Sequence, residues 1–292
     1  MKIISFGEIL FDVFVHASVI GGAPFNFISH AVAQGAQGYL VCSVGDDELG
    51  KEAVSEMKRR KVNTDLVTRS PLPTGRCLVT LDACGVPSYD LIEGAYDETY
   101  LPTAAKEIVR GGYDALYFGT LAQRGEKAKM ALYELVSLGG YKEVFYDINI
   151  RQSYYSKDII EDSLRIATIL KVSREEAHVF SELGISNERG EALCRDLAQK
   201  YGLRQVIMTL DSDGAFVYDK NSDKFTHSER PRARVVSTVG AGDSFSATYL
   251  VSYLKGEKTE ISVAKAVAVS SFVVEHAETI PEYTKKLCEF LR

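Results

Sequence analysis

Val239 to Phe245 reads VGAGDSF, two glycines and a carboxylate within a single heptapeptide. Glycines at this spacing let the backbone bend tightly enough for successive amide hydrogens to point into one concave spot. Where a helix begins at that spot, its dipole also favours an anion. The hole is phosphate-sized. Asp243 sets a carboxylate beside it, and a transferring phosphoryl group needs both charge stabilisation and a base for the proton of the attacking hydroxyl. Aspartate also caps helices, and from the heptapeptide alone cap and base weigh equally.

Gly21 to Asn26 (GGAPFN) is a second unusual loop, with Pro24 at a first helical position and Asn26 in the first turn. The paired glycines, Gly22 among them, permit close approach of a ligand. Asn26 can both donate to and accept from a hydroxyl, so a polyol suits the loop; a plain turn before a helix accounts for the same residues. Asp12 follows an extended apolar run and offers an acceptor, or is simply a solvated acid. Asp147 to Arg151 (DINIR) closes a strand with Asn149 and Arg151 on one side by alternation. An arginine there suits anionic oxygens or a surface ion pair. Ser173 to Glu176 is a Ser-x-x-Glu capping box, which leaves a metal role for Glu176 in need of other support. Gly45 to Lys51 (GDDELGK) has P-loop spacing, but Asp46, Asp47 and Glu48 place carboxylates where amides should meet phosphate, and Glu52 replaces the magnesium-holding hydroxyl. A strand end followed by an acidic first helical turn describes it better.

These loops need a frame. Strand-like runs at Tyr39–Val44, Ala115–Phe118, Glu143–Asp147, Ile169–Val172 and Gln205–Leu210 alternate with helical patterns such as Asp47–Lys61, Gly125–Leu138 and Glu188–Tyr201. The rhythm predicts an α/β fold, a mainly parallel sheet covered by helices, whose ligands sit beyond the carboxyl ends of the strands. The opening MKIISFGEILFDV reads as a first strand. Arg76–Leu81 and Ser88–Ile92, joined by DACGVP with its turn-favouring Gly85 and Pro87, break the rhythm. With the extended Ile9–Val15 they predict a small antiparallel sheet serving as a lid, from segments near 9–20 and 72–98 of a single domain; an edge hairpin of the main sheet is the other reading. An extended Arg234–Val236 leads to the heptapeptide, and helices follow at Asp243–Leu254, Ile261–Val274 and Tyr283–Phe290.

Composition narrows the uses. The 292 residues are 46% apolar and 25% charged, ordinary for a globular chain with a substantial core. A net charge of -6 argues against nucleic acid as a partner. The 5 cysteines, at 42, 77, 84, 194 and 288, form no C-x-x-C pair and read as buried thiols of a reducing compartment. No run of about 18 apolar residues offers a membrane span, and Glu8 and Asp12 interrupt what would be a signal peptide's apolar centre. A cytoplasmic protein without membrane attachment is expected. The 5 histidines show no metal-ligand spacing, and neither zinc nor hydrolase motifs occur.

Taken in order, GGAPFN, GDDELG, DINIR, KVSREE and TVGAGDSF resemble the PfkB or ribokinase family of sugar kinases, over nearly the whole chain. GVPSYDLIEGAYDE and FGTLAQR, at Phe118 to Arg124, look most like fructokinases. The resemblance implies a ribokinase-like three-layer core with a β-lid over the sugar, ATP as donor and Mg²⁺ bridging its phosphates. It makes Asp243 the catalytic base, with Gly240, Ala241 and Gly242 as the anion hole. Asp12, Gly22 and Asn26 become sugar contacts, Arg151 reaches substrate or moving phosphate, Thr209 and Gly214 lie against the nucleotide, and Glu176 organises magnesium through water. Three departures stand out: Ser237 where the family commonly has the Asp of a monovalent-cation site, Ser173 for the Asn of Asn-x-x-Glu, and Asp211 for a glycine. Potassium activation is therefore left open. The expected reaction is phosphorylation of fructose to fructose 6-phosphate, with ribose, 2-keto-3-deoxygluconate or a nucleoside as alternative acceptors and a silent sugar sensor as the non-enzymatic alternative. Open lid edges suggest a homodimer through the lid.

Overall fold

The computed structural model describes residues 1–14, 18–81 and 87–292. The chain begins with β1 (Lys2–Phe6), β2 (Leu10–Val13) and β3 (Ser18–Gly21), then α1 (Ala23–Ala33), β4 (Gln37–Gly45), α2 (Glu48–Arg59) and β5 (Val67–Ser70). Next come β6 (Gly75–Leu81), β7 (Pro87–Ile92), α3 (Thr103–Val109), β8 (Ala115–Gly119), α4 (Glu126–Gly139), β9 (Glu143–Asp147), α5 (Lys157–Ile166) and β10 (Ile169–Ser173). The remainder is α6 (His178–Glu182), α7 (Gly190–Tyr201), β11 (Gln205–Thr209), the hairpin β12 (Ala215–Asp219) and β13 (Lys224–Ser228), and the helices α8 (Ala241–Leu254), α9 (Thr259–Val273) and α10 (Lys285–Leu291).

The main sheet has 9 strands in the order β13-β12-β11-β10-β9-β8-β1-β4-β5. It is parallel from β5 to β11, and β12 and β13 join antiparallel at one edge. Each central strand feeds both faces, as period-2 alternation requires. In β1, Ile4 and Phe6 pack with α3–α7, while Ile3 faces α1, α2, α8 and α9. Three layers result. The strand order reverses between β1 and β8, so a crevice opens beyond their carboxyl ends, where open α/β sheets bind ligands.

The second sheet, of 4 strands in the order β3-β2-β6-β7, is the lid. It is mixed rather than antiparallel: β6 and β7 form the expected antiparallel hairpin, but β2 runs parallel to β6. The reason is connectivity. Between β2 and β6 the chain builds β4, α2 and β5 of the main sheet and re-enters the lid in its original direction. The opening segment likewise forms two strands, not one. Gly7, at φ 139°, breaks it between sheets, and Glu8 and Ile9 carry the chain across. The residues of DACGVP from Asp82 to Val86, with Cys84 and Gly85, and also Val15 and His16, lie outside the described residues. Arg234–Val236 forms no strand but an irregular run, with Val236 and Ser237 amides donating to Val274 O at 2.7 and 3.2 Å.

The lid is rooted in the body by Arg124, the last residue of FGTLAQR. Its Nε donates to Asp97 at 2.9 Å, Nη1 to Leu91 O at 3.0 Å and Nη2 to Ile92 O at 3.2 Å, at the end of β7. Cys42, Cys77 and Cys194 are buried free thiols and Cys288 is half-buried. Among the described residues no helix is long and apolar enough to cross a membrane.

Candidate active site

α8 is buried almost throughout, Ser244 to Ser252 included, because it packs against both α9 and α1. Its small polar residues pair internally: the Thr248 hydroxyl donates to Ser244 O at 2.8 Å and the Ser246 hydroxyl to Asp147 at 3.0 Å. The helix starts at Gly240, which stands at φ 81° and has no room for a side chain, since a Cβ there would lie 2.7 Å from Thr279 O. Among the described residues no side chain caps this start. Ala241 N donates to Thr238 O at 3.3 Å, and among the described residues the amides of Gly240 and Gly242 remain open to an outside acceptor.

Asp243, in that first turn, does not cap. Its Oδ2 accepts from Asn26 Nδ2 at 2.8 Å, across from α8 to α1. Burial pushes its carboxyl up to about 6, helped by the Asp147 charge and opposed by the Asn26 hydrogen bond and by Lys171 and Arg151. Such a group is mostly ionised at neutral pH yet basic enough to take a proton.

A cavity of about 890 Å³ runs between the strand ends, α8 and the underside of the lid. It brings together Asp12, Gly22, Asn26, Arg151, Glu176, Thr209, Gly214 and the Gly240–Asp243 turn. Gly22 stands at φ 108°, where a Cβ would lie 2.5 Å from Glu8 O, so the α1 turn packs directly on the β1–β2 link. Half-buried Asp12 faces the cavity from β2; burial raises its carboxyl, partly offset by the Cys77 thiol and Arg151. The lid closes onto the body where Gln152 Nε2 donates to Tyr89 O at 2.6 Å.

Two local expectations change and a third holds. β9 ends at Asp147, and Asn149 at φ 37° leaves strand geometry, so Asn149 and Arg151 reach the cavity from a turned loop rather than by alternation. The Ser173–Glu176 box forms, Glu176 Oε2 accepting from Ser173 N at 2.9 Å and Ser173 Oγ from Glu176 N at 3.1 Å, but on the turn ahead of α6. Glu176 Oε1 also accepts from Ile150 N at 2.9 Å, tying the DINIR loop to β10. Burial works against the charge on Glu176, but Lys171 and these hydrogen bonds outweigh it and lower its carboxyl. In GDDELGK, Asp47 caps α2, as the acidic-turn reading has it: its carboxylate accepts from Gly50 N at 2.7 Å and Thr74 N at 2.9 Å.

The sequence matches the pfkB family of carbohydrate kinases over residues 13–286. The chain belongs to that family. A ribokinase from Arabidopsis thaliana is 26% identical over 88% of this pfkB chain, which spans 64% of the plant protein, just under two thirds of its length. Among solved structures, the 2-dehydro-3-deoxygluconokinase of Thermotoga maritima superposes with a TM-score of 0.85 at 21% identity, covering 100% of this chain and 99% of its own. The fructokinase of Xylella fastidiosa with bound ATP also gives 0.85, at 18% identity over 99% of this chain and 97% of its own. These superpositions over nearly the whole of each chain establish the ribokinase-like fold, and they are equally good for the two sugar kinases.

Three further residues of this pfkB kinase line the cavity without belonging to any of the sequence motifs. Glu8 is buried, with Oε1 accepting from Ala23 N at 3.2 Å and Oε2 without a partner among the described residues; burial raises its carboxyl to about 7. Lys171, buried, bonds Asp147. Arg230 lines the cavity near Gly214, with Nε and Nη2 buried and, among the described residues, unpartnered. A lone charge inside the apolar strand ILKVS, and one inside SFGEIL, were the available signals for two of them.

Proposed function

We propose that this pfkB chain transfers the γ-phosphoryl of MgATP to a primary hydroxyl of a small sugar, with O6 of fructose the favoured acceptor. The observation that carries the reading is Asp243 beside uncapped helix amides, on the same cavity as Asp12 and Asn26.

The residues suit the nucleotide. The open amides of Gly240 and Gly242 and the Arg230 guanidinium, unpaired among the described residues, are donors awaiting an anion, and Thr209 and Gly214 line the same cavity. Magnesium is held by one or two carboxylates plus substrate phosphates, and when bound it neutralises phosphate charge. Glu176 is the carboxylate for it; because both its oxygens already accept amides, it would act through water. Ser237 Oγ accepts from Val239 N at 3.3 Å, bracing the turn where an acid would serve a monovalent cation.

At the sugar end, Asp12 and Gly22 bind hydroxyls, and Asn26 donates one Nδ2 hydrogen to Asp243, its buried Oδ1 having no donor among the described residues. The lid excludes water. A hydroxyl is far less acidic than a carboxylic acid, so Asp243 accepts its proton late, once bonding to phosphorus has acidified the oxygen. Arg151 stands where it meets substrate or the transferring group. The uncovered edges β3 and β7 suit a homodimer paired through the lid; a monomeric mass in solution counts against that.

The test is ADP release from MgATP with fructose, ribose, 2-keto-3-deoxygluconate and a nucleoside in parallel. Fructose should give the highest kcat/KM. Preference for a nucleoside overturns the fructokinase reading, and tight sugar binding without ADP release identifies a sensor.

A further inference from the structure

Lys171 is a lysine in a place that ordinarily rejects one. It sits within the central strand β10, buried, and its Nζ lies 3.0 and 3.2 Å from the two carboxylate oxygens of Asp147 on β9. Asp147, also buried, takes further hydrogen bonds from Ser246 of α8 at 3.0 Å and Tyr117 of β8 at 3.3 Å. A buried ion pair contributes little net stability compared with apolar side chains of similar volume, so its position matters more than its strength. That position is under the reaction centre. Nζ is 3.1 Å from where a Cβ on Gly242 would stand, and Lys171 lines the cavity there. Among the described residues its ammonium makes no hydrogen bond except to Asp147, although it carries three N–H donors.

We propose that Lys171 is a positioning residue for phosphoryl transfer: its buried ammonium supplies positive charge beneath the Gly240–Gly242 amides and offsets Asp147 beside the Asp243 carboxylate. This rests on the reading of Asp243 as base. The charged and titratable groups around Asp243 are Asp147 from β9, Lys171 from β10, Arg151 from the loop after β9, Glu8 from the β1–β2 link and Tyr117 from β8. Around Lys171 they are Asp147, Glu176 and Asp243, and together they outweigh the burial that opposes its charge. Lys171 is the cation buried among these acids, and Asp147 alone would repel both Asp243 and an incoming phosphate. In a water-poor pocket such fixed charge acts strongly on developing charge.

Two variants separate this role from that of a simple counter-ion. Lys171→Met leaves Asp147 unpaired. Its kcat should fall about a hundredfold, and the acid limb of its pH profile should move up by about one pH unit, with the sugar KM little changed. Lys171→Met combined with Asp147→Asn removes both charges and the folding penalty of an orphan carboxylate. Its acid limb should return close to that of the wild type while kcat stays at least about tenfold low. A double variant with wild-type kcat reduces Lys171 to a partner for Asp147 and overturns the proposal, and so does a single variant that loses rate without moving its acid limb. If the single variant does not fold, the double variant decides. Assays use the sugar that gives the wild type its highest rate; a wild type that releases no ADP with any sugar refutes the reading of Asp243 itself and takes this proposal with it.

Discussion

The chain starts two helices within glycine-framed turns, α2 at Asp47 and α8 at Gly240, and treats their free amides in opposite ways. At α2 the cap carboxylate occupies the helix start, bonding Gly50 N and reaching across to Thr74 at the root of the lid. Burial opposes the charge on Asp47, but the hydrogen bonds from Thr74 and Gly50 outweigh it and hold its carboxyl low. At α8 the cap position is a glycine, no side chain takes the amides, and the nearby acid turns toward Asn26 instead. A helix dipole favours an anion at both sites. Only where the chain withholds its own carboxylate is there a place for a substrate's charge.

The largest effect expected from disturbing this contrast is at Asp243. Asp243→Asn keeps the Asn26 contact geometry but loses the base, and steady-state kinetics should show kcat down by about a thousandfold or more with sugar binding by calorimetry largely intact. Near-normal turnover would remove Asp243 from the mechanism. Next is Gly240→Ala, which forces a side chain into a positive-φ position against Thr279 O. It should lower kcat/KM for ATP about a hundredfold by displacing the amides; a variant with normal kinetics would mean the amides do not carry the phosphoryl group.

Smaller effects concern stability. Folded Glu8 keeps its proton up to about pH 7, whereas its ordinary value is 4.5. Between those values the folded state binds more protons than the unfolded, so the stability contributed by protonated Glu8 is lost as pH rises. Urea titrations at pH 5 and 8 should show the wild type losing up to about 3 kcal/mol more than Glu8→Gln across that interval; parallel curves would contradict this. Asp47→Ala, finally, should cost about 1 kcal/mol of stability through the lost cap and leave kcat unchanged. A large drop in kcat would show that α2 belongs to the catalytic machinery after all.

The sequence pattern shows the contrast between the two turns because it is local: acids fill GDDELGK, while VGAGDSF keeps its glycines ahead of its single acid. The parallel strands were legible for a similar reason, each being a continuous apolar run bounded by turn residues. What was not legible depends on distant partners. Periodicity cannot show that β2 pairs β6 in parallel, since the direction follows from the intervening path through the main sheet. The short β3, exposed at Ser18 and Val19, has no alternation to betray it. Alternation puts Asn149 on a strand face because no nearby glycine or proline encodes its turn at φ 37°. Lys171 and Glu8 are lone charges in apolar runs and Arg230 is one charge among several in ERPRAR, and the meaning of each comes from what faces it across the fold.

The central claim, that Asp243 meets a sugar hydroxyl while the α8 amides hold the phosphoryl group, is tested most directly by a crystal structure with fructose and a non-hydrolysable ATP analogue. The account predicts a primary hydroxyl within about 3 Å of the Asp243 carboxylate and the terminal phosphate on the amides of the Gly240–Asp243 turn. A sugar bound with its hydroxyls turned away from Asp243, or a terminal phosphate held elsewhere, would contradict it.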